Sequence, residues 1–144
     1  TPYGETSEPL AFGSIAGQLM IAFIARHGKN HSIPPHLINY RANIYALENL
    51  GVEAIIGVAT VGSIPPKIHP GSIVLPHQVI DYTYGREHTY FDGIKNPVSH
   101  IDFTHPYNSD LSVIISNIPM SVSRYLPSYC ICANILHGSN TILV

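Results

Sequence analysis

Charge is scarce in this 144-residue chain: only 11% of its residues are Asp, Glu, Lys or Arg. So little charge implies a surface that is polar but uncharged, or one partly covered by neighbouring subunits, and the second is the expectation. Formal net charge is −2 with neutral histidines, and no basic stripe runs along the sequence. That argues against a duplex nucleic-acid partner, which needs clustered Lys and Arg to neutralise phosphates. Cysteine is scarce too. Cys130 and Cys132, spaced C-x-C, are too few for a disulfide-stapled secreted domain and too few ligands for a zinc site. They are expected to be small thiols in a reducing cytoplasm. No apolar run is long enough to span a bilayer. Thr1-Pro2-Tyr3-Gly4-Glu5 has none of the features of a signal peptide. The chain opens at Thr1 rather than Met, so further sequence is expected upstream.

Apolar residues make up 45% of the chain, enough for the core of one domain. Pro9 to Ile15 alternates weakly, Ala16-Gly17-Gln18 supplies a turn, and Leu19 to Ala25 is unbroken apolar sequence. Together they predict a hairpin whose second strand is buried. Residues 26–36 carry a glycine and two prolines and read as a loop. Asn39 to Leu50 reads as a helix, with Asn39 as its cap and Gly51 as its close. Tyr40, Ile44, Leu47 and Gly51 lie on one face of it. Val52 to Thr60 reads as a buried strand. Ser72 to Tyr82 reads as strand with Pro76 forcing an edge or bend. Residues 83–107 form a long loop whose aromatics argue against disorder. Ser109 to Ile118 reads as a helix stopped by Pro119, with Leu111, Ile114, Ile115 and Ile118 on one face. The pattern decays after Pro119. The strand–helix–strand rhythm points to an α/β fold.

Two segments suit anion chemistry. Arg26 offers a planar fork of donors, His27 adjoins it, and Gly28 lets backbone approach an oxyanion closely. The same residues also suit a solvated surface loop, and spacing alone does not separate the two. Ala59-Thr60-Val61-Gly62-Ser63 ends a strand in small residues, and such a turn can present N–H groups to an anion. It can equally be an ordinary strand-to-loop turn. Nine histidines raise a third possibility. His27, His31 and His36, with the H-x-D pair of His100 and Asp102, suggest a metal-dependent hydrolase. Prolines preclude a helical H-x-x-x-H face there, and so many histidines produce such spacings by chance.

Several motifs in order resemble the methylthioadenosine and methylthioinosine phosphorylases of the purine nucleoside phosphorylase family. Thr1 to Ser7 is similar to their T-P-[FY]-G-x-P-S segment, and Ala25 to His31 to their A-R-H-G-x-x-H loop. Asn39 to Leu47 is similar to their N-Y-[RQ]-A-N-[IL]-W-A-L helix. Pro76 to Thr83, Gly85 to Phe91, and His100 to Tyr107 resemble the bacterial methylthioinosine branch more than the methylthioadenosine branch. The resemblance runs from Thr1 to about Leu111.

What the resemblance implies is an α/β, phosphorylase-type fold, present in part, with a mixed central sheet flanked by helices. The partial domain covers 1–118, and 119–144 is a divergent tail. The implied reaction is attack of inorganic phosphate on C1′ of a 5′-methylthio purine nucleoside, giving free purine and 5-methylthioribose 1-phosphate. No cofactor or metal is implied, because phosphate is itself a substrate. Arg26 and His27 match one phosphate-contacting pair, and Ala59 and Thr60 the other. His31 matches an active-site-loop histidine. His100 matches one that lies near the ribose 5′ substituent of an adjacent subunit in a homotrimer. The implied partners are the nucleoside and phosphate, with neither nucleic acid nor membrane. Two departures stand out. The family has Thr or Asn where this chain has Ala59. Its G-G-[TS]-G loop and G-P-R motif have no counterpart here. An inactive, truncated or frameshifted fragment is therefore the alternative expectation.

Overall fold

The computed structural model describes residues 1–17, 19–117 and 130–135. Ala11–Ile15 (β1) and Leu19–Phe23 (β2) form the expected antiparallel hairpin, with Ile15 opposite Leu19 and Ala11 opposite Phe23. Ala16 and Gly17 turn the chain with left-handed φ of 53° and 70°. The expected burial of the second strand does not hold within this chain. Met20 is 71% exposed and Phe23 47%, because the hairpin packs only at its base. There Leu10, Ala22 and Ile24 meet Ile44, Leu47, Val52 and Ile55.

The helix falls where its caps place it. α1 spans Tyr40–Glu48. The Asn39 side chain accepts from the Ala42 N–H at 3.1 Å, which satisfies one of the unpaired donors of the first turn. Gly51, at φ 70°, donates its N–H to Glu48 O at 2.8 Å and closes the far end. The buried face is not the one read from periodicity. Leu47 is buried as expected, but Ala42 and Asn43 are buried beside it, while Gly51 is exposed. The reason is the chain's own start: residues 3–8 lie across α1. Ser7 N–H donates to Asn43 Oδ1 at 2.8 Å, and Asn43 Nδ2 donates to Ser7 Oγ at 2.9 Å. Asn39 Nδ2 donates to Tyr3 O at 2.8 Å.

Ile56–Val61 (β3) begins later than the apolar run does, and only Ile55, just before it, is fully buried. Ile73–Val74 (β4) is two residues long and ends before Pro76, whose missing N–H ends a ladder. Cys130–Ile135 (β5) lies between them, antiparallel to β3 and parallel to β4. The sheet is thus mixed, as expected for a phosphorylase-type fold. Its middle strand comes from the segment after Pro119, where the sequence pattern decays.

From Leu75 to Asn108 there is no regular element, so the long loop is longer than its expected 83–107. Three aspartates organise it as Asx turns. Asp81 accepts from Thr83 N–H, Asp92 from Ile94 and Lys95 N–H, and Asp102 from Thr104 N–H. Each carboxyl sits below its ordinary range: Asp81 and Asp102 are held as carboxylates first by the Thr83 and Thr104 side chains and then by their backbone N–H groups, and Asp92 by backbone N–H groups. The loop is pinned to α1. Tyr90 OH donates to Arg41 O at 2.8 Å, Arg41 pairs with Glu87, and the Tyr3 and Tyr90 rings meet edge-on at 4.9 Å. α2, Ser109–Ser116, follows with Asn108 as its cap. None of its residues is buried, and Ile118 lies outside the described residues.

Candidate functional site

The segment after β2 is two tight turns in succession. Gly28 N–H donates to Ala25 O at 2.8 Å, placing Arg26 and His27 at the corners of the first turn. His31 N–H donates to Gly28 O at 3.0 Å and closes the second. Gly28 is required here: its φ is +76°, and a Cβ would meet Ser32 Oγ at 3.1 Å and Glu8 Oε1 at 3.4 Å. His31 also adopts a left-handed φ, 52°, which His tolerates better than most residues. Its ring stacks on His27, with centroids 5.5 Å apart and planes 13° apart.

His27 Nδ1 lies 3.0 Å from Ile33 O. A carbonyl only accepts, so Nδ1 carries the proton, and in the neutral ring Nε2 is then an acceptor. Ile33 N–H in turn donates to His27 O at 2.9 Å. Ile33 thus engages both the ring and the backbone carbonyl of His27.

Arg26 brings the two candidate segments together. Its Nη1 donates to Val58 O at 2.8 Å, across 32 residues of sequence. Val58 immediately precedes Ala59 and Thr60, so the guanidinium sits against the strand that carries the second candidate pair. Ala59 and Thr60 are inside β3, opposite Cys132 and Ile131 of β5, and the strand runs one residue beyond its expected end, to Val61. In a strand, N–H and C=O of one residue point to one edge and alternate along the chain. Thr60 therefore presents its N–H to the edge on which Val58 O meets Arg26, and Ala59 points the other way.

His100 is exposed, and among the described residues no hydrogen bond or ring contact ties it to residues 26–31. The H-x-D pair does not act as one. Asp102 is engaged by the Thr104 hydroxyl at 2.5 Å and the Thr104 N–H at 2.9 Å. Among the described residues no three His, Cys, Asp or Glu side chains gather to hold a metal ion. The hydrolase reading thus lacks a ligand cluster there. A cavity of about 510 Å³ lined by Leu75, Pro76, His77, His105, Tyr107 and Ser109 shares no residue with the 26–31 turns.

Glu8 belongs to this neighbourhood, and nothing local in the sequence marks it. Its Oε1 accepts the Lys29 N–H at 2.9 Å. The contact spans 21 residues, and only the fold creates it.

A phosphorylase-type architecture with an Arg–His turn against a sheet strand is what these features define, and comparison with known families agrees. The Phosphorylase superfamily model matches residues 1–125, and the chain belongs to that superfamily. Among relatives, it is 51% identical over 112 residues to the 6-oxopurine nucleoside phosphorylase of Pyrococcus furiosus, covering 74% of this chain and 41% of that protein. It is 48% identical over 113 residues to a probable S-methyl-5′-thioinosine phosphorylase of Pseudomonas syringae, covering 78% and 46% respectively. The fold resembles a methylthioadenosine phosphorylase from an antarctic soil metagenomic library, with TM-score 0.68 and 32% identity over 80% of this chain and 39% of that one. The chain spans less than half the length of these relatives. Among the described residues no helix is long and apolar enough to cross a membrane.

Proposed function

We propose that this chain carries the phosphate-binding part of a purine nucleoside phosphorylase acting on 5′-methylthio nucleosides, methylthioinosine or methylthioadenosine. The observation that carries the reading is the Arg26–Val58 hydrogen bond. It joins the Arg–His turn to the strand of Ala59 and Thr60, so that an anion has cationic and backbone donors on one edge. Arg26 uses one of its five N–H donors on Val58 O, and the fork suits a phosphate. Thr60 supplies a backbone N–H and a hydroxyl. Neutral His27 offers Nε2 to the remaining P–OH of monohydrogen phosphate. Ala59 adds no side-chain donor. His31 fixes the His27 ring by stacking. His100 serves the ribose end of a neighbouring subunit's site in a homotrimer, in the cytoplasm.

In the reaction a phosphate oxygen forms a bond to C1′ as the C1′–N bond to the purine breaks. The base leaves with that electron pair and takes a proton. An anion held beside C1′ stabilises the cationic sugar of the transition state and then captures it. No cofactor enters.

The test is methylthioinosine cleavage with and without phosphate, alongside phosphate titration of variants. Cleavage requires phosphate and is unaffected by a chelator. Arg26→Ala weakens phosphate binding by at least about tenfold, the scale of one charge-assisted hydrogen bond. Lys29→Ala changes it little, because the Glu8 contact uses the Lys29 backbone. Turnover in phosphate-free buffer, or equal losses in the two variants, would sink the assignment.

A further inference from the structure

We propose that Glu8 is a positioning residue that sets the conformation of the anion-binding turns; the proposal rests on the phosphate reading of residues 26–31. Three observations carry it. Residues 3–8 are fastened to α1 by the reciprocal Ser7–Asn43 pair and by the Asn39–Tyr3 bond. Asn43 is itself 97% buried, being 3% exposed, so that anchor is part of the packed interior. At the end of the fastened segment, Glu8 Oε1 accepts the Lys29 N–H at 2.9 Å and lies 3.4 Å from where a Gly28 Cβ would stand. The carboxylate thus touches the turn at the residue whose left-handed φ makes the turn possible.

An acidic group beside an anion site needs a reason, because its charge opposes the ligand. Here the carboxylate oxygen is occupied by a backbone N–H one residue beyond Gly28. That orients the peptide between Gly28 and Lys29, and with it the turn that presents Arg26 and His27. The helix, the amino-terminal segment and the turns form one mechanical chain: α1 holds Ser7, and Glu8 holds Lys29. Glu8 acts through the loop, not on the ligand.

Geometry and charge separate cleanly by substitution. Glu8→Gln keeps an oxygen acceptor and removes the charge; Glu8→Ala removes both. Inorganic phosphate is titrated calorimetrically into the full chain and each variant, and amide hydrogen exchange is followed at Gly28 to Ile33 and along α1. E8A is expected to lose protection in the turns with α1 unchanged, and to bind phosphate about tenfold more weakly, as loss of one hydrogen bond to a charged acceptor implies. E8Q is expected to keep turn protection and to bind at least as tightly as the wild-type chain. If the wild type binds phosphate and E8A binds it equally or more tightly, Glu8 does not position the site and the phosphate reading stands. If E8A loosens the turns but the wild type binds no phosphate, the phosphate reading fails instead. Should E8A unfold altogether, weakened binding by E8Q overturns the proposal by itself.

Discussion

Tyr90 is the residue on which the long loop closes against α1. Burial first, then the negative charges of Glu48 and Tyr3, push its phenol up from 10.0 to about 12. The sign of the consequence follows from linkage: a proton held more tightly in the folded state stabilises it where the unfolded phenol has already ionised least. The contribution is complete below pH 10 and is lost as pH rises toward 12. An alkaline absorbance titration of wild type and Tyr90→Phe checks this: the variant lacks the phenolate that forms near pH 12, and its stability declines less steeply above pH 10. Superimposable titration curves would refute the assignment. Little at this scale is legible beforehand. Arg26 and His27 announce themselves by residue type and adjacency. Tyr90 is one of nine tyrosines, and Tyr84, earlier in the same loop, is 94% exposed. Which tyrosine is gripped depends on where the Arg41 carbonyl lies, which is a long-range fact.

Elements were legible where their signals are local. Asn39 and Gly51 bracket α1 because a side-chain acceptor and a left-handed glycine act within one turn of the helix. Asn39 does more than cap: it also binds Tyr3 O. Asn39→Ala is therefore expected to lower stability by about 1–2 kcal/mol, at the upper end for a cap, measured by denaturant unfolding. A change within about 0.3 kcal/mol would show that water replaces both bonds. The helix's buried face was less legible. Periodicity locates Leu47, but Asn43 is covered by Ser7, 36 residues away, and a polar side chain carries no apolar signal of that cover. β5 is the clearest miss. Cys130-Ile131-Cys132-Ala133 is a short apolar run of strand length, but its place arises only from pairing with both β3 and β4.

For the molecule as a whole, scarce charge and abundant exposed apolar surface belong together. Phe12 and Met20 lie on one face of the hairpin, since Phe12 pairs opposite Ala22 and Ser14 opposite Met20. They are 62% and 71% exposed. Ile64, Tyr82 and Ile94 are exposed as well. Apolar side chains exposed together, as Phe12 and Met20 are on the hairpin face, seek cover. The chain is expected to self-associate at raised concentration, and the double variant Phe12→Ser, Met20→Ser to do so less, read as a lower weight-average mass by sedimentation. Equal masses would show that the hairpin face takes no part. The low charge content pointed this way from composition alone, although composition does not say which face is uncovered.

The sequence by itself determined the superfamily, the hairpin, the helix with both caps, and the Arg26–His27–Gly28 turn. Each of these rests on interactions spanning a few residues, or on motifs whose order along the chain suffices. Only the tertiary structure decided that Arg26 reaches Val58 and that Glu8 holds Lys29. Those are contacts between distant segments. They exist because residues 3–8 pack across α1 and because β2 leads into turns lying against β3, and no local spacing encodes such an encounter.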